Sequence, residues 1–489
     1  MLSLFPKLSI SFVERYSFSK IQTKGTEASL LALLGTDKGQ TYLANCLRNY
    51  DGEKETEEFQ ALFHLYRQNE LGNEKKLYKL CEAAFYQRKE SGISKKAASQ
   101  LYGATLLGSV TRMENYAACA FSHFLAYGLG LEERPEYKVA LPDIGTLYHM
   151  ALERFSGKLK EHDRTWRNIT NEEIKQFGKE CVQEACEDYG NGILTSSSRN
   201  AYLIKRLERV LNRTLTVVHG QVSAGYFEPD AYEYAFSYAD KYLNLRGRID
   251  RLDLYEKDGT IYVRVVDYKS GSTTFDLNSL YYGLELQLGV YLSAGMRKLS
   301  EEHPEKKIVP AGVFYYHISD PIVERSHHVE EDIKQKLVMD GLASKEVPII
   351  TSMDTEFLAE DGGLRPLIKS QVLPIETTKT GELSKRSNVV SEKRFYELLK
   401  FVEDSMLQFG QEIMNGTTAL NPYKQKEKNA CGYCPYASAC GFDLKLEGCE
   451  YRRFEELSKD EVWKKIEERN HKEGEEQNGT MDKRTEESN

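Results

Sequence analysis

Several features that would define a membrane or secreted protein are missing from this sequence. No apolar run reaches about 18 residues, the length that a membrane-spanning helix needs. The first 18 residues have no basic region ahead of an apolar core and no small-residue cleavage site, so a secretory signal is not predicted. We therefore expect a cytoplasmic protein with no membrane partner.

The phosphate-binding pattern G-x-x-x-x-G-K-[ST] is also missing. The nearest stretch, Gly35-Thr-Asp-Lys-Gly-Gln-Thr41, does not fit it. That pattern cradles nucleotide phosphates with backbone N–H groups and a lysine. We therefore expect that this polypeptide does not bind ATP by itself.

The composition is that of an ordinary globular protein. The 489 residues are 40% apolar and 29% charged, a length that predicts two to four domains. Acidic residues outnumber basic ones by 75 to 66, a balance that gives a nucleic-acid partner no support but leaves room for a local basic groove. Nine cysteines, an odd number without a secretory signal, argue against a disulfide framework.

Hydrophobic periodicity predicts a mixed α/β core. Residues 1–104 are polar and helix-like, and an amphipathic helix followed by its exit is predicted from Ser109 to Leu131. Strands are predicted between Tyr232 and Lys269, followed by a helix from Leu277 to Leu299. The segment from His471 to Asn489 is rich in Glu, Lys, Asn and Gly, which predicts disorder.

A predicted hairpin brings two aspartates together. Asp258-Gly259 is a strong turn signal, and it makes cross-strand partners those residues whose numbers sum to 517. Asp250 and Asp267 satisfy this condition, so their Cβ atoms should lie roughly 4.5–5.5 Å apart on one face. Like charges directly opposite each other destabilise a sheet, whereas a hard cation such as Mg²⁺ or Mn²⁺ bound between the two carboxylates would make their proximity favourable. The alternative is a solvated face on which Arg248 and Lys269 neutralise the acids.

Four short motifs resemble the RecB-type branch of the PD-(D/E)XK nuclease superfamily. They are, in order, Gly145-Thr-Leu-Tyr-His149, Gly247-Arg-Ile-Asp250, Val266-Asp-Tyr-Lys-Ser-Gly271 and Gln287-x-x-x-Tyr291. The resemblance implies a restriction-endonuclease-like core, in which helices flank a short central mixed sheet, with added helices.

The resemblance also implies a role for each motif residue. Metal ligands would be His149, Asp250, Asp267 and the main-chain carbonyl of Tyr268. Lys269 would orient the attacking water and stabilise charge on the phosphate, and Gln287 and Tyr291 would support the site or the DNA strand. Taken alone, a single histidine on a helix, such as His149, is more often a structural residue than a metal ligand. Gln287 and Tyr291 are four residues apart on one helix face, a spacing that fits ordinary packing equally well.

A cluster of cysteines predicts a second metal site. Cys431, Cys434 and Cys440 follow the spacing C-x2-C-x5-C, and thiolates this close favour zinc or an iron–sulfur cluster. Spacing alone leaves the fourth ligand open between Cys449, nine residues on, and Cys119, far upstream.

The setting of Cys119 resembles the start of AddB-type nuclease domains. There a cysteine in the context S-x-x-x-x-E-x-Y-x-x-C-x-F pairs with a distant C-x2-C-x5-C. The match implies a 4Fe–4S cluster held by Cys119, Cys431, Cys434 and Cys440, which would staple the C-terminal segment to the rest of the domain. Ala120 departs from the proline that often follows the first cysteine.

A basic helical stripe is a candidate DNA-binding surface. Arg206, Arg209 and Arg213 recur at helical spacing between Asn200 and Val218. They could track phosphates near the site. The alternative is a solvated basic face.

The AddB resemblance implies three segments and a biological setting. Residues 1–104 would be a remnant of a helicase-like region, 105–455 the nuclease domain, and 456–489 a helical end with a disordered tail. The expected function is a Mg²⁺-dependent exonuclease acting on single-stranded DNA ends in recombinational repair, beside an AddA-like helicase–nuclease subunit. The chain would be a truncated, split or fragmentary subunit. Alternatives are a free-standing Fe–S exonuclease, a non-catalytic DNA-binding or assembly module, and a zinc-stapled protein whose carboxylates face solvent.

Overall fold

The computed structural model describes residues 37–50, 56–68, 74–85, 92–134, 139–189, 194, 197–240, 242–324, 328–446 and 448–486, with side chains as far as Lys472. The chain forms two compact units. One contains residues 1–89 and 442–449, and the other contains residues 90–441 and 450–489. A membrane-spanning helix is not found among the described residues.

The smaller unit is built from short amphipathic helices. The described ones are α1 (Asp37–Arg48), α2 (Glu57–Arg67) and α3 (Glu74–Ala84). Their buried side chains form one apolar core of Leu43, Leu47, Phe59, Leu62, Tyr66 and Leu77. An ion pair of 2.9 Å between Arg48 and Asp443 joins α1 to the 442–449 segment of the same unit.

A mixed seven-stranded sheet forms the centre of the larger unit. Its strands are β1 (Leu106–Gly108), β2 (Glu228–Ala239), β3 (Leu243–Lys257), β4 (Thr260–Lys269), β5 (Lys307–His317), β6 (Asp340–Ser344) and β7 (Val389–Val390). The order is β1-β3-β4-β5-β6-β7, and β2 pairs with β3. β4 runs antiparallel to β3 and parallel to β5, so the hairpin and the parallel pair share one strand.

Helices cover the sheet through two separate apolar cores. The helices are α4 (Lys95–Tyr102), α5 (Val110–Ala118), α6 (Ala120–His123), α7 (Leu141–Glu161), α8 (Asn171–Asp188), α9 (Ser198–Ser223), α10 (Leu277–Tyr281), α11 (Gln287–Glu302), α12 (Val329–Lys336), α13 (Val347–Met353), α14 (Glu392–Met414), α15 (Ala437–Cys440) and α16 (Lys459–Glu486). One core packs α7, α8 and α9 on the sheet, and the other packs α5, α11, α14 and α16. A small sheet of β8 (Tyr423–Gln425), β9 (Lys428–Asn429) and β10 (Arg452–Arg453) lies outside these layers.

The β3–β4 hairpin has the register that the turn signal predicts. Asp258 and Gly259 have φ values of +50° and +75°, the backbone that Asp-Gly adopts in a tight hairpin turn. Pairing runs from Lys257 with Thr260 to Arg251 with Val266, and every pair sums to 517. The ladder ends there, so Asp250 and Asp267 lie one step beyond its last pair. The predicted register is confirmed, and Asp250 and Asp267 lie at the end of the hairpin where the two strands separate.

The side of the hairpin that carries Asp253 holds a buried ionic network. Asp253 lies 2.6 Å from Arg251 and 2.7 Å from Arg264, and all three side chains are excluded from solvent. Burial raises the pKa of Asp253, but the two guanidinium groups outweigh that effect and the net direction is downward. Strand alternation therefore places Asp253, with its two buried arginine partners, on the opposite face from Asp250 and Asp267.

Two of the predicted helical ranges are interrupted. The Ser109–Leu131 helix is broken at Cys119, whose φ of −164° is extended, and a π-helical turn follows at Phe124–Gly128. The Leu277–Leu299 helix is divided into α10 and α11, so Gln287 begins a new helix. At the C-terminal end, α16 continues to Glu486 through the segment whose composition predicts disorder.

Candidate metal centre

The two aspartates at the open end of the hairpin are almost completely buried. The exposed fractions of Asp250 and Asp267 are 9% and 1%, and the two side chains interact directly. The backbone N–H of Tyr268 donates to Asp250 Oδ2 at 2.8 Å. Burial, followed by repulsion from Asp267, raises the pKa of Asp250 to about 8, and burial also raises that of Asp267. Without a cation, the site therefore disfavours full ionisation of the pair.

Neighbouring side chains hold the ammonium group of Lys269 close to Asp267. Its ammonium nitrogen lies 2.7 Å from Asp267 Oδ2 and donates to Gln287 Oε1 at 2.7 Å. The amide nitrogen of Gln287 in turn donates to Tyr291 Oη at 2.8 Å. Gln287 and Tyr291, one turn apart on α11, therefore fix where the positive charge of Lys269 lies.

Helix α7 brings His149 to the same place from the opposite helical layer. His149 Nδ1 lies 3.4 Å from Asp250 Oδ2, and its side chain is 31% exposed. Burial lowers the pKa of His149, but the carboxylates of Glu233 and Asp250 outweigh it and the net direction is upward. A Cβ atom at Gly145 would lie 3.1 Å from Ser270 Oγ, so the glycine of this motif lets α7 approach the end of β4 closely.

Glu233 also lies at the site, although it belongs to none of the four motifs. Its carboxylate lies 3.6 Å from His149 Nδ1. Glu233 interrupts an otherwise regular part of β2 with a φ of +47°, a conformation that costs a non-glycine residue roughly 1–3 kcal/mol and that clusters at functional sites. The β2–β3 pairs sum to 483 on both sides of it, which places Glu233 opposite Asp250. No Asn-Gly or Asp-Gly turn marks this hairpin, so its register could not be predicted.

These side chains fit a hard divalent cation. One ligand atom each from His149, Glu233 and Asp250 lie within 4.8 Å of one another. With Asp267 added, three ionised carboxylates against Lys269 leave a charge of −2, and oxygen ligands of this kind suit Mg²⁺ or Mn²⁺. All the predicted side chains of the site are therefore brought together, and ligation by the carbonyl of Tyr268 stays a prediction.

Glu114 is a second residue without a predicted role. It is half-buried beside the site, and its Oε1 accepts hydrogen bonds from the backbone N–H groups of Leu286 at 2.8 Å and Gln287 at 3.2 Å. Burial raises the pKa of Glu114 to about 7. A carboxylate on the first turn of α11 stabilises that helix end and fixes Gln287, the partner of Lys269. Glu114 belongs to α5, the helix that ends at Cys119.

The larger unit contains Cys119, Cys431, Cys434 and Cys440, and none of these four forms a disulfide. Cys119 interacts with Cys431, which interacts with Cys434 and Cys440. The extended backbone at Cys119 lets its sulfur accept backbone hydrogen bonds from the following turn, and such bonds tune thiolates in iron–sulfur sites. Cys449 belongs to the other compact unit. The donor set thus fits the ligands that the resemblance implies.

The three arginines of the predicted stripe differ in their ion-pair partners. Arg209 lies 2.7 Å and Arg213 3.6 Å from Asp320, so both form ion pairs within the protein. Among the described residues, Arg206 has no ion-pair partner, and it lines a cavity next to the metal centre. The DNA-binding role of all three arginines stays a prediction.

Comparison with known proteins agrees with the motifs. Residues 108–441 match the family model of the PD-(D/E)XK nuclease superfamily, which confirms the predicted fold class. A protein of Lachnoclostridium phytofermentans, named as the B-type subunit of an ATP-dependent helicase/deoxyribonuclease, is 50% identical over 95% of this chain. Proteins of the same name from Alkaliphilus oremlandii and Clostridium acetobutylicum are 33% and 32% identical over 88% and 97% of it. The chain spans 38–41% of the length of these relatives.

Metal binding should depend on pH because Asp250 must lose a proton to become a ligand. With the pKa of Asp250 near 8 and those of Asp267 and His149 also raised, Mn²⁺ affinity should rise at least about tenfold per pH unit below pH 8, with proton release on binding, and then level off. Isothermal titration calorimetry in two buffers of different ionisation enthalpy measures both quantities. Glu233→Gln should weaken binding about 10- to 100-fold, whereas Asp230→Asn, an exposed acid on the same strand, should not. An affinity independent of pH, or equal affinities in the two variants, would contradict the site as described.

Proposed function

Because the chain belongs to the PD-(D/E)XK nuclease superfamily, we propose that it is a Mg²⁺-dependent deoxyribonuclease that removes nucleotides from single-stranded DNA ends. The observation that carries this proposal is the convergence of a buried acid pair, a histidine and a lysine at the open end of one hairpin. The contacts that join them are the 3.4 Å approach of His149 to Asp250 and the 2.7 Å ion pair of Lys269 with Asp267.

His149, Asp250 and Asp267 would hold the cation, with Glu233 as a further carboxylate. A bound divalent ion would acidify water and neutralise the scissile phosphate. Lys269 contributes a fixed positive charge where negative charge develops on the phosphate, and it can also hold the attacking water by hydrogen bonding. Gln287 orients Lys269 through the 2.7 Å hydrogen bond, and Tyr291 orients Gln287. This arrangement supports hydrolysis of a phosphodiester and needs no nucleotide cofactor.

We also propose a structural 4Fe–4S cluster. Cys119, Cys431, Cys434 and Cys440 would be its ligands, and it would join α5 to the C-terminal segment of the domain. Closing a loop of more than 300 residues restricts the unfolded chain, as other cross-links do. Since α5 also carries Glu114, loss of this cross-link should loosen the support of Gln287 and, through it, of Lys269.

The names of the relatives support a wider setting for this activity. Each is named as the B-type member of an ATP-dependent helicase/deoxyribonuclease. We propose that the chain works in the cytoplasm with an AddA-like helicase–nuclease protein, whose motor would deliver a single strand to the metal centre during double-strand-break repair. The described ion pairs of Arg209 and Arg213 leave Arg206 as the member of the stripe best placed to meet that strand.

Removing either end of the Asp267–Lys269 pair should abolish DNA cleavage. Asp267→Ala deletes a metal ligand and Lys269→Ala deletes the charge next to the phosphate, so each should lower the cleavage rate by about 10²–10³-fold or more. The measurement is Mg²⁺-dependent digestion of an end-labelled single-stranded oligonucleotide.

Lys257→Ala provides a matched control, because this exposed lysine lies at the far end of the same hairpin. It should cleave at the wild-type rate, and EDTA should stop all cleavage. Equal rates for the wild type and both site variants would refute the nuclease assignment.

Two cysteine substitutions test the cluster. Protein purified without oxygen should be brown with broad visible absorption, and Cys119→Ala should lose this colour because it removes a ligand. Cys449→Ala should keep it. Iron and sulfide analysis accompanies the spectra, and a colourless wild type containing zinc, or bleaching by Cys449→Ala alone, would contradict the assignment.

A further inference from the structure

A cavity of about 480 Å³ opens beside the metal centre. It lies between helices α7 and α9 and reaches the ends of β4 and β5. Neither the metal ligands nor the cysteine cluster line it. Its volume falls within the range of roughly 300–1,000 Å³ that is typical of small-molecule sites.

The lining of the cavity includes sequence neighbours of the metal-centre residues on both α7 and β4. Tyr148, which lines it, precedes His149, and Ser270 with Gly271 follows Lys269. β4 and β5 run parallel, and the cavity lies at their carboxyl ends, where open α/β sheets bind their ligands. A substrate whose phosphate reaches the metal centre at the end of β4, beside His149 of α7, would have an adjoining group next to this cavity.

The walls suit a flat, largely apolar group. Leu203 and Leu207 come from α9, and Ile144 and Tyr148 come from α7. Arg206 presents the cation at the opening, and a guanidinium plane stacks well on a nucleobase.

Asp320 is the acidic group of the lining, and it would repel phosphates if its charge were uncompensated. Arg209 and Arg213 are its partners, at 2.7 and 3.6 Å. Two arginines of the stripe therefore more than offset the charge of Asp320, and the third lines the cavity. The apolar side chains of the lining favour an uncharged ring inside the cavity, and the cationic side chains of α9 favour a phosphate at its edge.

We propose that this cavity binds the unpaired base and sugar of the nucleotide next to the scissile phosphate, an inference that rests on the proposed function. A base lodged between two helices has no room for its complementary strand. The cavity would therefore select single-stranded over duplex DNA. It would also position the strand relative to Lys269.

The test compares strands with and without bases. The full chain is titrated with fluorescently labelled oligo(dT) and with an abasic oligonucleotide of equal length and charge, using Ca²⁺ in place of Mg²⁺ to prevent cleavage. The wild type should prefer oligo(dT) by about 10- to 100-fold, the advantage that stacking of a base provides. Leu203→Trp, which fills the half-buried wall, and Arg206→Ala, which removes the stacking plane, should each lower this preference at least threefold.

Two neighbours provide matched controls. Tyr202→Trp and Lys205→Ala make the same kinds of change at exposed α9 positions outside the cavity, and both should keep the wild-type preference. Phosphate contacts cancel in the ratio, and Arg206→Ala alters an exposed side chain, so folding does not limit the comparison. A preference unchanged in both cavity variants, or equally tight binding of blunt duplex DNA, would overturn the proposal. Absence of cleavage by the wild type in Mg²⁺ would instead refute the proposed function.

Discussion

The crowding of carboxylates at the open end of the β3–β4 hairpin is the constraint around which the larger unit is organised. Asp250 and Asp267 are buried, their pKa values are raised, and Glu233 adds a third acid at the cost of a left-handed backbone. Such a group is stable as a set of neutral acids or as ions with a cation among them. Asp253, only three residues from Asp250, shows the other solution, since two buried arginines compensate it permanently. The difference between the two acids separates a structural network from a reactive site.

The surrounding elements act on this site from both helical layers. α7 contributes His149 after a close approach that Gly145 permits, and α11 begins at Gln287, which orients Lys269. Glu114 fixes the start of α11 and lies on the helix that ends at Cys119. Helix α5, the carboxylate of Glu114 and the side-chain amide of Gln287 therefore connect Cys119 to Lys269. Stability at the cluster and geometry at the metal centre should be coupled through this connection.

The sequence predicted those parts of the site that depend on local turn chemistry and known motifs. Asp258-Gly259 set the register of β3 and β4 because both residues adopt positive φ readily, and this placed Asp250 and Asp267 together. Glu233 could not be found in this way, because the β2–β3 connection carries no comparable signal. The helix break at Cys119 was also missed, since the apolar spacing continues across it and the backbone N–H groups of Ala120 and Phe121 bond to distant residues there. Side-chain alternation and motif order were enough to predict which side chains share the site. Backbone irregularities that depend on partners distant in sequence could not be predicted.

The most direct test of the account is to locate a cation by anomalous diffraction from crystals grown with Mn²⁺. We expect a peak at roughly 2.0–2.3 Å from carboxylate oxygens of both Asp250 and Asp267, with His149 as a nitrogen ligand. Lys269 should then release Asp267 and keep its hydrogen bond to Gln287. A cation bound elsewhere, or an empty site in which Lys269 still pairs with Asp267, would contradict the claim that the hairpin end is built to hold a divalent metal.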